Sequence, residues 1–159
     1  MIFLQEALIL ADMHRVIVKV KGSQQGPDGI RDTIDMQAEG RHYYKNGLHY
    51  VLYDDDSVDE KQTAATVLKI GPDQLTLLRH GVVNQRQEFT LDHESHSQYQ
   101  TPFGALELAC YTHKLKIDYG TVSGTVDVGY DLSVQGAHQS ENTLHIEIAS
   151  APEDIHRLN

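Results

Sequence analysis

Between Val122 and Val134 the chain keeps a period of two: Val122, Val126, Val128, Tyr130, Leu132 and Val134 share one side, and Ser123, Thr125, Asp127, Asp131 and Ser133 share the other. Alternation held that long specifies a long β-strand with one dry face and one wet face. The pattern recurs along the sequence. Val16, Val18 and Val20 alternate with Arg15, Lys19 and Lys21, with Ile17 out of phase, and Ile34, Met36 and Ala38 alternate with Asp35, Gln37 and Glu39. Leu48, Tyr50 and Leu52 share a face, as do Leu144, Ile146 and Ile148. No long helix, internal repeat or low-complexity segment interrupts this order.

The punctuation between strands is equally legible. Lys45-Asn46-Gly47 carries the strongest hairpin signal, because Asn-Gly suits a type I′ turn. Ser23–Gly29 and Gly71-Pro72-Asp73 have turn composition, and Gly120 turns the chain into the strand that ends at Val134. Further extended segments are read at 63–70, 74–80, 82–91, 98–101 and 105–112, the last continuing through Leu115, Ile117 and Tyr119. Segments 54–61, 92–96 and 135–142 read as polar loops, and Gly40 as a bulge or bend within its strand. Eight to ten sequential strands joined by short turns make an antiparallel meander, which must protect its edges or close. Closure into an up-and-down β-barrel is the expected all-β fold, with a two-sheet sandwich as the alternative architecture.

A chain of 159 residues suits a single barrel domain, expected over 13–150, with an extension at 1–12 and a polar tail at 151–159. Met1–Ala11 lacks the basic start and unbroken apolar run of a signal peptide and is too short to span a bilayer. Two readings of it compete: a short amphipathic helix over one mouth of the barrel, or a natural start at Met13. The second is slightly favoured.

Asp and Glu number 23 against 13 Lys and Arg, a formal net charge of −10. Lys114 and Lys116 are the nearest thing to a basic cluster, so nucleic acid and anionic membranes are poor partners. Cys110 is the single cysteine, which excludes an internal disulfide and makes a reducing cytoplasm the simplest home. In phase with Leu106 and Leu108, it reads as a buried structural thiol.

Arg79-His80-Gly81, Phe89 and Tyr99-Gln100-Thr101-Pro102-Phe103-Gly104 form a recognisable series, with Thr66–Ile70 before it and Tyr130-Asp131-Leu132 after. The series resembles the YwiB-like family of small bacterial proteins of uncharacterised function. The resemblance covers about Arg15 to Ala149, and Tyr-x-Thr-Pro-Phe-Gly is its most specific element. It implies a calycin-like β-barrel and supplies no substrate, cofactor or catalytic residue.

Arg79 is in phase with Leu75 and Leu77, which turns its guanidinium toward the apolar side. A buried guanidinium must be paired, because an isolated buried charge is very costly. It either anchors the carboxylate or phosphate of a ligand, or it reaches the barrel mouth or pairs with an internal carboxylate; the second reading is preferred. Tyr50, Tyr99, Tyr130 and Phe89 are the expected inward aromatics, lining a pocket or, preferably, filling a core.

His93-Glu94-Ser95-His96 lacks the helical spacing of a zinc site, and Asp54-Asp55-Asp56 with Asp59 and Glu60 lacks the glycine and closing glutamate of a calcium loop. Both read as solvated, and neither a metal nor a cofactor is expected. No Gly-x-Ser-x-Gly elbow or phosphate loop is present, so no catalytic residue is assigned.

The leading functional expectation is a cytoplasmic barrel that binds a small apolar or amphiphilic ligand, with Arg79, Tyr99 and Tyr130 at its polar end and Phe89 and Tyr50 against it. The alternative is a packed barrel acting as an interaction module, through its acidic exterior or as a homodimer. An enzyme with its site near Arg79, His80 and Tyr99 ranks last, for want of an acid–base pair.

Overall fold

The computed structural model describes residues 13–55, 64–81 and 83–152; segments 1–12 and 153–159, most of the acidic loop after Asp55, and Val82 lie outside them. Ten strands follow one another: β1 His14–Gln25, β2 Arg31–Lys45, β3 Leu48–Asp55, β4 Ala64–Ile70, β5 Gln74–Gly81, β6 Gln85–Thr90, β7 Glu94–Thr101, β8 Gly104–Tyr119, β9 Gly124–Val134 and β10 Ala137–Ser150. Each pairs antiparallel with its neighbours in sequence except β6 with β7, and β1 pairs with β10 from Val16↔Ser150 to Gln25↔Glu141. The result is the expected up-and-down barrel, closed by its first and last strands. Its seam falls in mid-chain, between β6 and β7, where the bridge Asn84↔Gln100 is the one ladder contact among the described residues.

Local chemistry explains the turns. Asn46 and Gly47 both have positive φ, as the Asn-Gly hairpin requires. Gln135 and Gly136 do the same between β9 and β10, so the supposed loop 135–142 is a two-residue turn followed by strand. Its polar residues misled the pattern because two of them face inward as a self-satisfied pair: Asn142 donates to the Ser140 hydroxyl at 2.9 Å. The 92–96 segment is likewise a tight turn, and β7 begins at Glu94. Gly40 makes no bulge, since β2 keeps its register with β1 and β3 through it. It is required because a Cβ there would sit 2.8 Å from the Leu52 carbonyl oxygen.

Inward positions from nearly every strand meet in one cluster that includes Val16, Val18, Val51, Leu68, Ile70, Leu75, Phe89, Val126, Val128, Ile146 and Ile148, all essentially without solvent exposure. Each such side chain contributes about 1.5–3 kcal/mol on burial, the main force holding the barrel. Cys110 belongs to this interior, and burial pushes its thiol up to about 11. It is inert at neutral pH.

The two ends of the barrel differ. At the proximal end, where β1 begins and β10 finishes, rings stack. Tyr119 lies parallel to His42 at 5.8 Å and against His49 at 4.1 Å, and its hydroxyl donates to the Val122 carbonyl at 2.7 Å. Tyr119 fits because its strand partner is Gly124, where a Cβ would meet the ring at 2.6 Å. His42 Nε2 and His49 Nδ1 share a hydrogen bond of 2.9 Å, and His42 is fully buried. Burial first, then His49 and His14, hold His42 down to about 4, and burial lowers His49 as well. Both rings are neutral at pH 7.

A proton taken up by unfolded His42 near its ordinary 6.5 is refused by the folded protein until about pH 4. Stability is therefore full above pH 6.5 and falls by about 3 kcal/mol as the pH drops toward 4. Urea unfolding across that range will show the decline. His42→Phe, which keeps a ring on Tyr119, is expected to remove more than half of the slope.

Candidate functional site

The distal end carries the interior's charge. Thr66, Arg79 and Gln85 follow Tyr53 in one register row across β3 to β6, and the Asn84↔Gln100 bridge places Tyr99 next in that row across the seam. Arg79 Nη2 lies 3.3 Å from Asp55 Oδ2, and the Asp55 side chain is only 3% exposed. Asp55 ends β3 in phase with Val51 and Tyr53, which turns it inward. The acidic run thus contains a buried residue, Asp55, directly after the exposed Asp54. Its signal was present in the sequence as two further steps of alternation, hidden by the acidic residues that follow.

Two tyrosines flank the pair. Burial raises Tyr53, with Asp55 adding to the effect and Arg79 opposing it. Burial also pushes Tyr130 up to about 12, and Arg79 again opposes. Both keep their protons and present hydroxyl groups near the guanidinium. Phe89 packs edge-on against Tyr130 with ring centroids 4.9 Å apart.

The inward wall beside this group holds polar atoms that the protein leaves without a hydrogen-bond partner. They are Arg79 Nε, Gln87 Nε2 and Thr112 Oγ1. Gln87 is 6% exposed and Thr112 has no exposure at all. Gln87 spends its carbonyl on Gln85, whose amide donates at 2.9 Å. Its amide nitrogen and the Thr112 hydroxyl lie beside the Cys110 sulfur, a weak acceptor. Each buried donor left in this state costs about 1–3 kcal/mol. Sequence alternation placed Arg79 but neither Gln87 nor Thr112, because both look like ordinary strand polars.

The five residues singled out in the sequence divide. Arg79, Tyr130 and Phe89 come together. Tyr99 faces inward but lies two strands from Arg79, partly exposed at the rim. Tyr50 does not belong: Val51, Tyr53 and Asp55 take the inner face of β3, so Tyr50 is outside, stacked on Tyr43 at 4.7 Å with Lys69 Nζ 5.8 Å above its ring. The in-phase series Leu48, Tyr50, Leu52 is a half-covered outer stripe, which single-strand alternation cannot tell from an inner one.

Phe103 of the Tyr-x-Thr-Pro-Phe-Gly run is fully exposed at the distal rim. The turn that presents it is fixed by Thr101, whose hydroxyl donates to the Gly104 carbonyl at 2.9 Å and accepts from the Phe103 N–H at 3.2 Å. Ile34 and Leu106, in phase with inward residues of β2 and β8, are also exposed near this end. Elsewhere, His93 bonds the Leu91 carbonyl and His96 lies 3.3 Å from Glu94. Among the described residues no three His, Cys, Asp or Glu side chains are grouped to hold a metal, and no helix is long and apolar enough to cross a membrane.

The charge pair gives a direct expectation. Arg79→Met removes the cation paired with the buried Asp55 carboxylate and is expected to destabilise the barrel by about 3 kcal/mol. Arg79→Met/Asp55→Leu is expected to recover most of that loss, as read from urea denaturation midpoints.

Comparison with known proteins agrees with this architecture. The model of a family described as a domain of unknown function, DUF1934, matches residues 18–146. The crystal structure of the ywiB protein from Bacillus subtilis is similar, with a TM-score of 0.79 at 21% identity, over 89% of this chain and 94% of that one. At that identity the likeness concerns the fold. No curated protein matches the chain.

Proposed function

This chain belongs to the DUF1934 family, and from that premise we propose that it is a binding barrel for a small amphiphilic molecule. The observation that carries the reading is the group of buried, unpartnered polar atoms Arg79 Nε, Gln87 Nε2 and Thr112 Oγ1. A barrel evolved only to pack would fill such positions with apolar side chains at a gain in stability. A ligand whose polar end reaches these donors supplies what the protein withholds. The exposed Leu106 and Ile34 offer apolar surface to the rest of it.

Arg79 serves this site differently from a free anchor. Its charge is already matched by Asp55, so it is the Nε edge, not the paired Nη2, that faces a ligand. Tyr130 and Tyr53 keep their hydroxyl protons and frame the same space.

The test separates function from stability. Thr112→Val removes a buried hydroxyl without a partner, so the ligand-free protein is expected to gain about 1 kcal/mol. The same change is expected to weaken or abolish the non-covalent adduct seen by native mass spectrometry of protein purified gently from its own source. A wild-type spectrum with no adduct at any gentle setting, or an adduct retained in full by Thr112→Val, counts against the proposal.

A further inference from the structure

Resting on the binding reading above, we infer that the polar end of the ligand is an uncharged, acceptor-bearing group, such as an amide or ester carbonyl, and not a carboxylate or phosphate. Two independent features of the interior lead there. The first is charge. Among the described residues Asp55 is the one buried acid, and the Arg79 guanidinium it pairs with at 3.3 Å is already neutralised. A ligand anion brought to Arg79 would lie within a few ångströms of the Asp55 carboxylate in a medium that screens poorly. It would have to displace Asp55 or coexist with it, and the buried residues among those described include no Lys or Arg to relieve the repulsion.

The second feature is the kind of atom left open. Arg79 Nε and Gln87 Nε2 are donors only, and the Thr112 hydroxyl can donate or accept. Gln87 has already placed its own acceptor with Gln85. Two obligate donors beside one hydroxyl match a carbonyl oxygen with its two lone pairs, and an amide N–H can then return a bond to Thr112. Tyr130, protonated up to about 12, adds a further neutral donor on the same side. The site therefore offers hydrogen bonds without spare positive charge, the combination that selects a neutral acceptor over an anion.

Matched probes test this. Titration calorimetry of the full-length, delipidated protein at pH 7.5 would compare decanamide with decanoate, two ligands sharing one tail. Decanamide is expected to bind at least about tenfold more tightly. Asp55→Asn frees the Arg79 charge, and it is expected to raise decanoate affinity about tenfold while changing decanamide by less than about threefold. A thermal scan of that variant confirms that it is folded, and Asp55→Ser serves in its place if it is not. Decanoate binding as tightly as decanamide to the wild type, or indifference of decanoate to the Asp55 change, overturns the neutral head group while leaving a binding barrel standing. Binding of neither probe to either protein overturns the binding reading and this inference together.

Discussion

The pairing of the first strand with the last organises everything else in this molecule. β1 and β10 join in ten successive pairs, from Val16↔Ser150 to Gln25↔Glu141, so the most distant parts of the chain form one of its longest ladders. Such a contact brings a large loop-closure cost and rewards it only when the whole sheet is in register. Once made, it removes the edges that a ten-strand meander would expose at its ends. The unavoidable discontinuity is moved to β6 and β7, two short strands linked by the Asn84↔Gln100 bridge and by Ser95, whose hydroxyl donates to the Glu88 carbonyl at 2.8 Å. The weakest part of the wall thus lies beside Gln85 and Tyr99, which complete the row running out from Arg79, and close to Gln87, one step along the inner face of β6.

Most of this was legible in the residues. Strand alternation and the Asn-Gly turn specified an antiparallel meander, and the Tyr-x-Thr-Pro-Phe-Gly run identified the family before any contact was known. Loop assignments failed where inward residues are polar: Ser140 and Asn142 satisfy each other inside the barrel, and a rule that equates polar with exposed misreads them. Tyr50 failed for the opposite reason, since its ring is half-covered on the outer wall by Tyr43 and looks apolar-facing from one strand alone. Asp55 was concealed by its neighbours. The inward phase set by Val51 and Tyr53 extends to it, but a following stretch of acids suggests solvent.

Pairs that form only through the sheet were beyond reach. His42 and His49 stand opposite each other's neighbours across the β2–β3 hairpin, and their hydrogen bond depends on both rings turning inward at the proximal end. The sequence offered His93 and His96 as the conspicuous pair instead, and these are occupied locally by Leu91 and Glu94. Spacing along the chain is a poor guide to proximity in a barrel, where register decides which side chains meet.

The two ends of the barrel show how one fold separates tasks. The proximal end is closed by neutral rings that pack on each other and on Gly124; His42 Nε2 and the Tyr119 hydroxyl are hydrogen-bonded there, while His42 Nδ1 has no partner among the described residues. The distal interior instead holds a matched ion pair beside donors that, among the described residues, have no partner better than the weakly accepting Cys110 sulfur. Replacing a buried pair with apolar residues is often neutral or stabilising, and unpaired donors cost more still. The hydrophobic cluster through the middle is large enough to carry such a burden, which stability alone would never select. Among the described residues, four of the five buried side-chain polar atoms without a partner, Arg79 Nε, Asn84 Oδ1, Gln87 Nε2 and Thr112 Oγ1, come from the stretch between β5 and β8 on either side of the seam, and the fifth, His42 Nδ1, lies at the proximal end.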